Sequence, residues 1–361
     1  MEIKSFIKFL FAVAVFSMMF CACGCGKHKT PAPLTTPYIY GTYTPGIPVS
    51  TATPTLSATA TAATPTNTII PGSSWSRATA AASFPGRTQS VGVGFNGYIW
   101  VIGGSSNVYD DMNDVWKSAD GATWTQVTGD APFAKRYGHQ GIVWNNKIWI
   151  VGGYQSRVYP VIYSKDVWST DNGVDWTMVT GNAAFNGRTD HQVLVFNNKL
   201  WLIGGNTGST VKYNDVWSSV DGAAWVRETA NAGFGVRAVH SAVEFNGKMW
   251  VMCGSGNGTV YNDIWSSSDG INWTNVTSSA PFAVRSGAAL LVKGGKMLIM
   301  GGAGASTYSD VWASPDGINW IQVTSSGLGT ARSHYAAFVY DNKIWAIGGA
   351  PGYMNDVWWS W

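Results

Sequence analysis

One short segment recurs six times, and it limits what the chain can fold into more than any other feature. It reads DVWKSADGATW from Asp114, DVWSTDNGVDW from Asp166, DVWSSVDGAAW from Asp215, DIWSSSDGINW from Asp263 and DVWASPDGINW from Asp310. A shortened copy, DVWWSW, starts at Asp356. The intervals are 52, 49, 48, 47 and 46 residues. A period of this length marks an array or a propeller, because one such unit cannot bury its own apolar face and must stack on its neighbours. A Gly-Gly pair precedes the segment at 103-104, 152-153, 204-205, 301-302 and 348-349, with Cys253-Gly254 in the sixth place.

Each repeat divides into four short strands. In the second copy, GHQGIVW (138–144) alternates as a strand and Asn145-Asn146 supplies a tight turn, since Asn tolerates positive φ. KIWIV (147–151) returns to the Gly-Gly pair, a loop leads to KDVWS (165–169), and Asp171-Asn172-Gly173 turns the chain into WTMVT (176–180). Four antiparallel strands per repeat make one propeller blade. Charged residues are only 12% of the chain, against about 25% in typical soluble domains. The 20 tryptophans and 43 glycines suit stacked sheets joined by tight turns. A net charge of +3 gives no argument for a nucleic-acid partner.

The ends of the chain predict how the ring closes. Each full repeat places an arginine twelve residues after its last tryptophan: Trp124/Arg136, Trp176/Arg188, Trp225/Arg237, Trp273/Arg285 and Trp320/Arg332. The sixth blade stops at Trp361, and the missing piece stands at the start, where Trp75 and Arg87 are also twelve apart. The prediction is an all-β, six-bladed propeller of four antiparallel strands per blade, its last blade closed by the N-terminal strand near Trp75. Closure leaves no open edge strand.

The Gly-Gly pair after a strand, the following aromatic and the spaced tryptophan (Gly152-Gly153, Trp168, Trp176) resemble the kelch repeat family. The resemblance covers about 290 residues, roughly 73–361. It implies a galactose oxidase-like kelch propeller, although that enzyme's metal ligands find no residue-by-residue match here. Tryptophan stands where many kelch blades carry tyrosine. The D-G turn is similar to the sialidase Asp-box, but only Ser169 to Trp176 keeps that spacing.

Two further zones precede the body. Lys4 and Lys8 are followed by an apolar run to Phe20, short for a membrane span and right for a signal segment. Cys21, Cys23 and Cys25 follow, and the stretch resembles a bacterial lipoprotein signal. Residues 1–24 are expected to be a signal peptide, with Cys25 lipidated and Cys23 the alternative. Residues 25–72, rich in Thr, Ala and Pro, are expected to form a disordered stalk. The expected location is therefore the cell envelope, with the body exported and held to a membrane by a lipid. Cys253 is the one cysteine of the body, which rules out a disulfide within it.

Most conspicuous side chains belong to the repeat. Seventeen of the 20 tryptophans hold one of three repeat positions, Trp144, Trp359 and Trp361 being the exceptions. The body carries only two glutamates, Glu228 and Glu244, and no facing carboxylate pair of the kind a glycosidase needs is visible. His139, His191 and His240 sit three residues after a repeat arginine; no metal or cofactor is expected. Topology puts the variable loops after Gly-Gly and the arginine-bearing links on one face. These loops run from 6 to 12 residues, and variable loops on a fixed scaffold are where recognition usually resides.

Arg87, Arg136, Arg188, Arg237, Arg285 and Arg332 are expected around the channel mouth on that face. There they would either bind an acidic ligand, as arginines do in kelch propellers that bind acidic peptides, or tie down their own links. Asp190, His191, Tyr137 and Tyr335, with Arg157, Tyr159 and Tyr163 of the long second loop, break the repeat and rank next. The expected function is a membrane-anchored binding module for an unknown protein, peptide or glycan, with an acidic ligand favoured. The alternatives are a kelch-propeller enzyme, such as a sialic-acid-processing isomerase or a carbohydrate oxidase, and a structural envelope protein.

Overall fold

The computed structural model describes residues 70–106 and 110–361. The expected signal segment, Cys25 and nearly all of the expected stalk lie outside the described residues. The compact unit that carries the repeats runs from Pro65 to Trp361.

Among the described residues every regular element is a strand. Blade 1 pairs Val91–Phe95, Tyr98–Ser105, Asp111–Ser118 and Thr125–Thr128 antiparallel in that order. Blades 2 to 5 repeat the plan over 140–180, 192–229, 241–277 and 289–324. Blade 6 takes Ala336–Tyr340, Lys343–Gly349 and Met354–Ser360 from the C-terminal end and Ser76–Thr79 as its outermost strand. Ser76 pairs with Trp359, so the ring closes as the spacing of Trp75 and Arg87 predicts.

Local chemistry explains the strand ends. The first hairpin of blade 1 turns at Asn96 and Gly97, both at positive φ, and Asn145-Asn146 and Asn197-Asn198 do the same in blades 2 and 3. Such pairs match the twist of the flanking strands. The D-G turn is held by its own side chains. Ser118 Oγ accepts the Gly121 amide at 2.8 Å, and Asp120 Oδ1 accepts the amides of Ala122 and Thr123, each at 2.8 Å. Trp124 then donates its indole N–H to the Gly121 carbonyl at 2.9 Å.

The same turn joins neighbouring blades. A Cβ on Gly121 would lie 2.4 Å from the Trp345 ring of the preceding blade. Gly173 meets Trp100, Gly222 meets Trp149, Gly270 meets Trp201 and Gly317 meets Trp250 in the same way. The second-strand tryptophans are therefore inter-blade wedges, and glycine is the residue that lets them in. The core is distributed likewise: six apolar clusters, each drawn from two adjacent blades, ring the molecule.

Candidate functional site at the channel mouth

Arg188 is fully buried. Its Nη1 and Nη2 donate to the two oxygens of Asp215 at 2.6 and 3.0 Å, Nη1 also to the Gly204 carbonyl at 2.8 Å, and Nε to the Asn186 carbonyl at 2.9 Å. Asp215 in turn accepts the indole N–H of Trp217 at 2.8 Å. The Phe185 and Tyr213 rings lie 5.8 and 4.2 Å from the guanidinium carbon.

Every blade repeats this clamp: Arg87 with Asp114, Arg136 with Asp166, Arg237 with Asp263, Arg285 with Asp310 and Arg332 with Asp356. Burial would raise the Asp166 carboxyl, but the Arg136 fork and the Trp168 indole hold it below the usual carboxylate range. All six guanidiniums have zero exposure. The expectation of an arginine-lined mouth is corrected: the fork geometry that suits an acidic ligand is satisfied inside each blade by the aspartate of D-x-W.

The mouth is built one step further along the chain. Two residues after each arginine the backbone enters the left-handed region, with φ of +53° at Gln89, +62° at Gly138, +56° at Asp190, +56° at Val239, +63° at Gly287 and +54° at His334. In this conformation each amide donates to the carbonyl of its counterpart in the preceding blade. Gly138 donates to Gln89, Asp190 to Gly138, Val239 to Asp190, Gly287 to Val239, His334 to Gly287 and Gln89 to His334, at 2.8 to 3.1 Å. The six bonds form a closed ring.

Side chains on this ring differ from blade to blade. Asp190 and His334 stand three places apart in a ring of six, so they face each other across the mouth. Gln89 Nε2 donates to Asp190 Oδ1 at 2.6 Å, passing over Gly138. A Cβ at Gly138 would lie 3.1 Å from that oxygen and 2.0 Å from Thr189 Oγ1, so the bridge depends on glycine there. Burial pushes the Asp190 carboxyl up to about 6, against the lowering effect of the Gln89 bond and the Lys212 charge. His334 lies over Gly287, with Nδ1 3.0 Å from Ser333 Oγ, and burial lowers its pKa.

Inside the ring lies a chamber of about 190 Å³. Its wall is formed by the first residues of the innermost strands, including Gln140, Gln192, Ser241, Ala289, Leu290 and Ala337. Among the described residues no Lys, Arg or Glu lines it, and Asp190 is its one carboxylate. Ser241 Oγ donates to the Ala288 carbonyl at 2.8 Å. The half-buried side-chain amides of Gln140 and Gln192 have no hydrogen-bond partner among the described residues.

The other expected residues fall beside the mouth or beneath it. Tyr137 packs edge-on against Tyr154 at 5.3 Å, and Tyr154 lies 4.7 Å from Tyr163. Burial raises the Tyr137 phenol, and Tyr154, Asp111, Asp190 and Tyr163 add to it. His191 is fully buried and does not reach the mouth. With His139 and His240 it forms a layer under the ring. The rings of His139 and His191 lie toward the carbonyls of Ile102 and Val151 without closing a hydrogen bond. Tyr335 occupies the corresponding place in blade 6, and its hydroxyl does close that bond, to the Met300 carbonyl at 2.9 Å. Gln89, Val239, His334, Gln140 and Gln192 were not anticipated. The available signal was variation two and four places after an otherwise constant arginine.

The family model for the KLHDC2/KLHL20/DRC7 Kelch-repeats domain matches residues 174–349. The solved structure of YjhT superposes with a TM-score of 0.64 at 15% identity, covering 78% of this chain and 95% of that one. At that identity the likeness speaks for the fold. No curated protein matches the chain.

Proposed function

The chain is a kelch-repeat β-propeller, and from that premise we propose that it is a binding module whose ligand places a small polar group in the channel mouth. One observation carries the reading: the unpartnered amides of Gln140 and Gln192 line a chamber whose rim changes from blade to blade. A concave site with a few convergent polar groups is the usual form of a ligand pocket. The polar group would be a sugar, or a side chain or terminus of a peptide. The six repeat guanidiniums are closed in ion pairs, which leaves none of them to hold an acidic ligand.

The test is a panel of neutral sugars, polyols, sugar acids, amines and short acidic peptides, titrated into the full chain and into a Q140A/Q192A variant. Neither amide has a hydrogen-bond partner among the described residues, so the variant is expected to keep the parent's melting temperature. Ligands of the parent are expected to bind it at least tenfold more weakly. Ligands that bind both equally would place recognition elsewhere and end this reading.

An enzyme reading draws on a different observation, the Asp190 carboxyl at about 6 facing an imidazole across the mouth. Raised carboxyls of this kind serve as general acids or bases. Turnover of a bound panel compound that is lost in Asp190→Asn would favour it.

The anchor is proposed on the sequence alone. Cys25 would carry a lipid and the stalk would hold the propeller off the membrane. Detergent partitioning of Cys25→Ser and Cys23→Ser decides it. Release by the first supports Cys25, release by the second alone moves the lipid to Cys23, and release by neither ends the lipoprotein reading.

A further inference from the structure

The chamber is charged in one place only. Asp190 is its single carboxylate, and among the described residues no basic side chain lines it. Gln89 bonds one oxygen of that carboxylate, and Lys212, Tyr137 and Tyr163 act on it electrostatically. His139, His240 and His334 also line the chamber, each with its pKa lowered by burial, so that they stay uncharged near pH 7. Lys212 makes no ion pair with it within 4.0 Å, although it lies close enough to attract. Asp190 is half-buried; a carboxylate partly withdrawn from water without a paired cation is under-stabilised, and a cation that reaches it recovers part of that energy.

The surroundings suit an organic cation better than a bare ion. Tyr137 and Tyr163, which both pack on Tyr154, lie close enough to Asp190 to act on it electrostatically, and aromatic faces attract ammonium groups. Gln140 and Gln192 offer unpartnered amides to hydroxyl or amide groups farther along the ligand.

We propose that the chamber takes a small polar amine carrying one positive charge, its ammonium against Asp190 and its polar body along Gln140 and Gln192. This rests on the reading of the mouth as a ligand site and adds the charge of the ligand. The raised carboxyl gives the binding a signature. Near pH 6 half of the Asp190 side chains carry a proton, and the bound ammonium drives that proton off.

Three acyclic polyols of one chain length separate charge from shape: glucamine, sorbitol and gluconate, with charges of +1, 0 and −1. Each is titrated calorimetrically into the full chain at pH 7.5, and glucamine again at pH 6 in two buffers of different ionisation heat. Glucamine is expected to bind at least tenfold more tightly than sorbitol, with gluconate weakest and with proton release at pH 6. Asp190→Asn keeps an oxygen for Gln89 and is expected to bind glucamine only as well as sorbitol.

Equal binding of all three polyols, lost in Q140A/Q192A, would overturn the amine assignment and leave the chamber as a ligand site. A glucamine preference that survives both Asp190→Asn and Q140A/Q192A would overturn both readings. No binding by any of the three would overturn the amine assignment alone, because the wider panel judges the chamber separately.

Discussion

Gly72 donates its backbone amide to the hydroxyl of Ser360 at 3.2 Å, across 288 positions of sequence. In the other blades the same bond joins neighbours, as from Gly121 to Ser118 at 2.8 Å. Trp75 likewise bonds the Gly72 carbonyl at 3.0 Å, as Trp124 bonds Gly121. The D-G turn of the sixth blade is therefore cut in two, with one half at each side of the closure. A Cβ on Gly72 would lie 3.0 Å from Val311 and 3.6 Å from Leu298, the residue that replaces the wedge tryptophan in blade 5. A chain beginning at 70 is expected to melt with the full chain, and one beginning at 82 far below it. Trp75→Ala is expected to cost about 3 kcal/mol, the lower end for a large-to-small core change. Equal melting of the two truncations would refute closure by this strand.

The Arg188–Asp215 pair predicts a stability effect without a binding effect. Removing one partner of a buried pair leaves an uncompensated charge and costs about 3–5 kcal/mol. Arg188→Ala and Asp215→Ala are each expected to fall in that range by denaturant unfolding. The double variant is expected to lose less than the sum, because no charge is stranded. Arg188→Lys is expected to rescue little, since an ammonium cannot make the two-pronged bond. Intact stability with lost ligand affinity in Arg188→Ala would return the arginines to the site.

The fold was legible because the repeat announces it twice, once in its period and once in the split copy at the ends. The site was less so, and the arginines show why. A residue that bonds within its own blade must recur with the blade, and so must its partner. Six arginines matched by six D-x-W aspartates were the sign of an internal clamp. A ligand site has to break the symmetry. Asp190 was visible on that ground and does reach the mouth, while its neighbour His191 points under the ring. Gln89, Val239 and His334 stayed hidden because their place depends on a left-handed turn after the arginine, which no single residue type marks.

The buried histidines predict acid sensitivity. Burial lowers His139 and His240 to about 3, and His191 well below its ordinary value. The unfolded chain takes up these protons near 6.5; the folded chain takes up those of His139 and His240 only near 3, and that of His191 well below 6.5. The unfolded state therefore binds more protons in between, and stability falls as pH drops from about 6.5 toward 3. Each histidine contributes at most about 1.4 kcal/mol per pH unit across that window. Asp190 acts with the opposite sign: its folded carboxyl holds a proton up to about 6, above the unfolded value, so it gains stability as pH falls through 6. The loss of melting temperature from pH 7 to 4 is expected to shrink in His139→Gln and grow in Asp190→Asn. Parallel pH curves for the parent and His139→Gln would show that this histidine does not titrate with folding.

Val239 is the one β-branched residue on the mouth ring, at φ +56° where the others are Gly, Gln, Asp and His. A branched side chain in the left-handed region is strained, at a cost of about 1–2 kcal/mol. Glycine would relieve that strain but add up to about 1 kcal/mol of unfolded-state entropy. Val239 is half-buried, and Val239→Gly is therefore expected to be neutral or stabilising by up to about 1 kcal/mol, where truncating an apolar side chain in a core loses stability. Strain of this kind persists where the surroundings hold it and commonly lies at functional sites. Val239 faces Gln89 across the ring and lines the chamber, giving a ligand an apolar wall opposite the polar one. The combined expectation for Val239→Gly is a melting temperature equal to or above the parent's, with affinity for a chamber ligand reduced several-fold. A lower melting temperature with unchanged affinity would mean that the valine serves packing alone.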